Sequence, residues 1–312
     1  MLRLTGAAMT IHIRRIQPDD RDAVARLIHS ATNRYYESIG REAVFPGPPE
    51  DAAVFVDVYD AIDGPAARIA VDASPDGSKT IVGCCFEHAR PTHVSLGIMA
   101  VHPDHFGRGI ARQLLAAIID DAGDRPVRLV SSAINLDSFS LYSRAGFEPQ
   151  AVVQDVLLPG LDKVPPRPDS VRPATPDDAA AIVAVEQSVT GMNRQADWDY
   201  LLSSRHDSWH TLVGEADGQI VAALASCRSA AVNMIGPGAA TPAGARFLPD
   251  LLQQHRVRFA GTAAVALIPS SARELLASAY AAGGRNVELH LIQTRGDLPT
   301  DPGVAIPTFL PE

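Results

Sequence analysis

Apolar and polar positions in "IRRIQPDDRDAVARL" (13–27) follow two rhythms in turn. A short alternating stub reads as a strand, and then Pro18, Asp19 and Asp20 open an amphipathic run with Ala23, Val24, Leu27 and Ile28 on one helical face. Proline tolerates a first helical turn, and carboxylates favour its positive end. The order returns in "VRPATPDDAAAIVAV" (171–185), where Arg14, Pro18, Asp19, Asp20 and Ala23 recur as Arg172, Pro176, Asp177, Asp178 and Ala181. Further on, "ARIAVDASPDGSKTIVGCCFE" (67–87) and "HTLVGEADGQIVAALAS" (210–226) both read as strand, Asp-Gly turn, strand.

Between the two copies lies "LPGLDKVPPRPDS" (158–170), whose four prolines and glycine mark a linker. The pattern therefore predicts a duplicated α/β unit: strand, helix, variable region, antiparallel strands, helix, strand, helix, strand. The expected boundaries are residues 9–158 for the first domain, 159–170 for the linker and 171–312 for the second.

Composition narrows the function classes. With 46% hydrophobic and 20% charged residues the chain is globular, and a net charge of −9 disfavours nucleic-acid binding through a general basic surface. The adjacent Cys84 and Cys85 point to opposite faces of a strand and make a poor metal pair; with Cys227 they read as small hydrophobes in a reducing compartment. No apolar run reaches the length of a membrane span, and the N-terminus lacks a signal-peptide pattern, so a cytoplasmic location without membrane association is expected. His88, His93, His102 and His105 straddle a hairpin and a loop rather than one ligand-presenting turn, so no metal is expected.

The informative stretch is "THVSLGIMAVHPDHFGRGIARQLL" (92–115). An apolar strand gives way to a Gly-Arg-Gly turn, after which Ile110, Leu114, Leu115, Ile118 and Ile119 share a helical face. Glycines let backbone approach a ligand closely, and the first amides of a helix favour an anion, typically a phosphate. The Walker lysine and the third glycine of a dinucleotide fingerprint are both missing. Downstream, Asn135 precedes Tyr142 by seven residues and "LYSRAGFEP" (141–149) follows.

In that order and spacing, the first half resembles the GNAT superfamily of acyl-CoA-dependent N-acyltransferases over roughly residues 11–158. The resemblance implies an α/β fold of the α+β type, with two tandem GNAT-like domains, each a mixed, mostly antiparallel sheet flanked by helices. It places the coenzyme A diphosphate loop on Phe106–Ala111, with the amides of Gly107, Arg108, Gly109 and Ala111 as the cradle. Met99 and Val101 would hold the pantetheine arm, and Asn135 belongs to the same coenzyme signature. The family usually carries Arg or Gln where this chain has Phe106.

For chemistry, Tyr142 matches the general-acid position, and a phenol pKa of about 10 suits protonation of a departing thiolate. The strand glutamate that many relatives use as base is replaced by Gly97, which leaves His93 and His88 as candidates. The acceptor is expected to meet residues 33–63. There Tyr35, Tyr36, Phe45 and Phe55 would wall a pocket, and Glu37, Glu42 and Asp57 would attract a cation. In the second half "MIGPGAATPAGARFLPDLL" (234–252) lacks the Gly-x-Gly-x-Ala arrangement, and Tyr280 is one position out of register with Tyr142. That half reads as a degenerate copy without a coenzyme site, left to shape the acceptor pocket or to mediate homodimer formation. The expected activity is transfer of acetyl from acetyl-CoA, as cosubstrate, to a primary amine of a small molecule. A non-catalytic acyl-CoA-binding regulator is the alternative.

Overall fold

The computed structural model describes residues 10–73, 78–203 and 207–310. The expected Asp76–Gly77 turn and the terminal residues 9, 311 and 312 of the expected domains lie outside them. Compact packing divides the chain into two units, the first ending at His88 and resuming over Leu96–Gly123, the second comprising Ala89–Ser95 and Asp124–Glu312.

The first unit is built from β1 (Thr10–Arg15), α1 (Arg21–Ser38), α2 (Ala53–Asp63), β2 (Ala67–Ala73), β3 (Lys79–Ala89), β4 (Val94–Val101) and α3 (Ile110–Ala122). Its strands lie in the order β1-β2-β3-β4. The amphipathic runs bury the faces that their spacing implies: Val24, Leu27 and Ile28 of α1, and Ile110, Leu114, Leu115 and Ile118 of α3. Arg14 reaches from β1 to hold Asp20 with two hydrogen bonds of 2.6 and 2.9 Å, fixing the strand to the start of α1. Cys84 and Cys85 are buried and unbridged, and burial pushes the Cys84 thiol up to about 12.

The second unit contains β5 (Val127–Ser132), α4 (Leu136–Arg144), β6 (Glu148–Pro159), β7 (Val171–Pro173), α5 (Ala179–Thr190), α6 (Gln195–Leu202) and β8 (Trp209–Ala216). It continues with β9 (Gln219–Arg228), β10 (Asn233–Ala240), α7 (Leu248–Arg256), β11 (Ala263–Pro269), α8 (Arg273–Ala281), β12 (Arg285–Arg295) and β13 (Val304–Ile306). The strand order is β5-β12-β6-β11-β10-β9-β8-β7, with β13 added on β10. All these pairs are antiparallel except β10 with β11. Arg172 holds Asp178 with bonds of 2.8 and 2.9 Å, repeating the Arg14–Asp20 clasp.

The closing strands of the two sequence halves are exchanged. β12 enters between β5 and β6, and β6 in turn lies between β12 and β11. The repeat is thus legible in the chain, but neither half completes its own sheet.

Candidate functional site

β4 ends at Val101, and His102 turns the chain by accepting the Asp104 amide on its Nδ1 at 3.3 Å, over a single 3-10 turn Pro103–His105. Phe106 follows with 56% of its surface exposed. Gly107 and Gly109 have φ of +75° and +76°, in the left-handed region that a Cβ disfavours. A Cβ at Gly107 would meet nothing within 4 Å, and one at Gly109 only the Arg112 guanidinium at 3.5 Å. Conformation, not crowding, therefore demands glycine here, and the turn stands open. α3 begins at Ile110, so the amides of Ile110 and Ala111 lie in its first turn, where no intrahelical carbonyl precedes them. With the helix dipole they form a seat for an anion. Met99 and Val101, on the strand leading in, are partly buried.

His88, on β3 in the same unit, has no solvent exposure. Its Nδ1 lies 2.6 Å from the Asp63 carboxylate at the end of α2. An ionised carboxylate only accepts, so Nδ1 carries the hydrogen and Nε2 of the neutral ring is left as a bare acceptor. That Nε2 is buried and meets no hydrogen-bond partner among the described residues. A buried, unsatisfied polar atom costs on the order of 1–3 kcal/mol. The ring stands over β4: a Cβ added to Gly97 would come within 2.7 Å of Nε2. Tyr59 of α2 packs beside it at 4.3 Å between ring centres. Asp63 was not among the sequence candidates, because 25 residues separate it from His88 and no local spacing connects them.

The second unit holds the other candidates. His93 is fully buried, with Thr92 Oγ1 at 3.0 Å from Nδ1 and Ser95 Oγ at 3.1 Å from Nε2. Burial, reinforced by the positive charges of Arg128, Arg194 and Arg90, pushes its pKa down to about 3. Asn135 caps α4, its side-chain oxygen accepting the Ser138 amide at 3.0 Å. Tyr142, on α4, is buried against the edge of Phe147 at 5.8 Å. Where β5 ends at Ser132, the inserted β12 brings in one nearly buried carboxylate, Glu288, which accepts from the Ser132 hydroxyl, and His290, whose Nδ1 donates to the buried Asp155 of β6 at 2.9 Å.

The expected acceptor wall needs correction. Phe45 and Phe55 are core residues, 8% and 3% exposed and 5.7 Å apart. The loop bearing Phe45 is pinned to α1 through both side-chain atoms of Asn33, each 2.9 Å from the Phe45 backbone. Asp57 is occupied by Arg21 through two bonds of 2.6 Å. Glu37 and Glu42 are exposed. A cleft of about 460 Å³ in the first unit, lined by Arg14, Asp20, Arg26, Lys79 and His102 among others, touches the loop only through His102.

In the second half the strand corresponding to β4 is β10. It pairs with β11 only at Met234 and Ile235, then shifts register and takes β13 at Gly238–Ala240. The turn corresponding to the glycine loop is closed, with the Gly244 amide bonded to the Thr241 carbonyl at 2.9 Å. Among the described residues, no group of three or more His, Cys, Asp or Glu could hold a metal ion, and no helix is long and apolar enough to cross a membrane.

Residues 67–149 match the family described as "Acetyltransferase (GNAT) domain", whose members use acetyl-CoA as cosubstrate. No curated protein matches the chain. Among solved structures, a Pyrococcus horikoshii protein provisionally assigned as an acetyltransferase shares 16% identity at a TM-score of 0.75, with 99% of each chain covered. A GCN5-related N-acetyltransferase from Sphaerobacter thermophilus shares 20% identity at 0.61, covering 93% of this chain and 97% of that one. A tandem GNAT protein from the clavulanic acid biosynthesis pathway shares 15% at 0.58, covering 94% and 100%. These likenesses establish the fold as a mixed α/β, mostly antiparallel GNAT fold that extends over the whole chain.

Proposed function

We propose that this chain, whose first half carries a GNAT acetyltransferase domain, transfers acetyl from acetyl-CoA to a primary amine of a small molecule. One observation carries the reading: the open turn at Gly107 and Gly109 presents backbone amides at the N-terminus of α3, inside the matched domain. In this reading Gly107, Arg108, Gly109 and Ala111 hold the diphosphate, Met99 and Val101 the pantetheine, and Asn135 braces the start of α4. The first domain spans residues 9–158 and carries the one working site, and the copy at 171–312 binds no coenzyme because β13 occupies the ladder position on β10.

The chemistry asks for a free amine lone pair, a polarised thioester carbonyl and a proton for the departing thiolate. Tyr142 supplies that proton, since its phenol is close in acidity to an alkyl thiol. His93 serves packing rather than catalysis: a ring held neutral down to about pH 3, with a hydroxyl at each nitrogen, is a poor proton acceptor.

A non-catalytic acyl-CoA binder is the second reading. It is favoured by Phe106, which leaves the loop entrance with an exposed ring where a cation is usual. Two measurements separate them. Acetyl-CoA at a hundred times its dissociation constant should stabilise the chain by about 2.7 kcal/mol. Thiol release should then appear with a panel of polyamines, amino sugars and amino acids. Stabilisation without thiol release supports the binder; no stabilisation at all overturns both.

A further inference from the structure

We propose that His88 is the general base of acetyl transfer and that Asp63 is the residue that orients it, the pair standing in for the missing strand carboxylate at Gly97. The proposal rests on the acetyltransferase reading and adds a proton acceptor to it.

Three observations converge on this pair. Asp63 fixes the tautomer, since its carboxylate takes the Nδ1 hydrogen and turns the lone pair of Nε2 outward. Among the described residues Nε2 then has no partner although it is buried, so the fold keeps an acceptor atom unused. That atom is aimed at the one position on β4 that has no side chain. With its 2.7 Å approach to Nε2, any Cβ at Gly97 would displace the ring, so glycine and histidine are complementary there. Along β4, Gly97, Met99 and Val101 alternate onto one face, so the ring stands over the strand leading to the glycine turn. The ring itself is sealed and Gly97 only partly buried, so the acceptor's proton reaches Nε2 through one relaying water rather than by direct contact. The titratable groups that the described contacts place on the ring are Asp63 and Tyr59, both from α2.

The step balances without an added reactant. An acceptor ammonium gives one proton to Nε2, and its freed lone pair forms the N–C bond at the thioester carbonyl. The C–S bond then breaks with its electron pair on sulfur, and the thiolate is protonated, by Tyr142 in the reading above. The nitrogen of the new amide still carries one proton too many and gives it up, through water, to the Tyr142 phenolate, while His88 releases its own proton to water. Ammonium and acetyl thioester have become amide, thiol and one free proton.

The test compares wild type with His88→Gln, His88→Asn, Asp63→Asn and Asp63→Glu. Each is checked for folding by thermal melting and for coenzyme binding by its melting shift with acetyl-CoA. We expect both His88 variants to keep the shift while kcat falls about 100-fold or more with the best amine of the panel, in line with loss of a general base. The acid limb of the kcat/KM profile should vanish in them. In Asp63→Asn that limb should move to lower pH, because a negative charge that favours protonation is gone, and Asp63→Glu should restore part of the loss. A merely structural role would lower the melting temperature and leave the limb in place.

Wild-type kcat and pH profile in both His88 variants would overturn the base assignment and leave the acetyltransferase reading standing. A wild-type protein that neither binds acetyl-CoA nor releases thiol would overturn that reading, and this proposal with it. If acetyl-CoA binds but no amine of the panel reacts, histidine ¹⁵N NMR decides. A bare, imine-type Nε2 in wild type, changed in Asp63→Asn, supports the pair, and a protonated Nε2 in the wild-type neutral ring overturns it.

Discussion

Gly238 of β10 faces Ile306 of β13 across an antiparallel ladder that continues through Ala239–Ala305 and Ala240–Val304. β10 is the counterpart of β4, and its outer end corresponds to the stretch of β4 proposed to hold the pantetheine arm. The chain's own C-terminal strand thus supplies the backbone partners that a ligand would otherwise offer.

On the proposed reading, the protein should take one coenzyme per chain. Calorimetric titration with acetyl-CoA should give a stoichiometry of one. Two equivalent sites would mean that β13 yields to ligand.

Gly109→Glu should abolish coenzyme binding without unfolding the protein. Its φ of +76° costs a side chain on the order of 1–2 kcal/mol, and the nearest atom is the end of a flexible arginine. The carboxylate would meet the diphosphate head-on, and affinity for acetyl-CoA should fall about 100-fold or more, equivalent to ~2.7 kcal/mol. Unchanged affinity by calorimetry would remove the diphosphate from this turn.

Arg90 and Asp197 form a buried bidentate pair of 2.6 and 2.7 Å, with side chains 3% and 0% exposed. Removing one partner strands the other charge in the interior. Asp197→Ala should therefore cost about 3–5 kcal/mol in urea unfolding. Replacing both by apolar residues of similar size should recover much of that loss, since the pair's desolvation disappears with it. A cost below 1 kcal/mol for the single change would show that water reaches Arg90.

Acid should weaken the fold well above the carboxylate range. His93 and His255 both have folded pKa values lowered to about 3, mainly by burial, against an ordinary value of 6.5. Between those values the unfolded chain binds more protons than the native one, so stability falls as pH drops through that window. His255→Gln should flatten the fall in melting temperature between pH 6.5 and pH 4. An unchanged slope would show that other groups govern it.

Much of the fold is legible in the chain. The repeated Arg…Pro-Asp-Asp pattern becomes two identical clasps, Arg14 on Asp20 and Arg172 on Asp178, because strand, turn and helix start are local and their hydrogen bonds span six residues. The glycine turn is equally local: two residues without Cβ between a strand and an amphipathic helix leave the backbone few alternatives. The histidines could not be sorted in this way. His88 and His93 are five positions apart and equally suited on paper, and only the packed structure shows which ring has a carboxylate on one side and an unused nitrogen on the other.

By itself, then, the sequence determined the duplicated α/β units, their helix starts and the glycine turn before α3, all properties of hydrophobic period and backbone freedom within a few residues. Tertiary structure alone decided that β12 crosses to lie between β5 and β6, that β13 lies on β10, and that Asp63 meets His88. Phe45 and Phe55 were drawn into the core in the same way. Each of these depends on burial and pairing between segments distant in the chain. Their register is set by which faces can be buried together, and no local pattern records that.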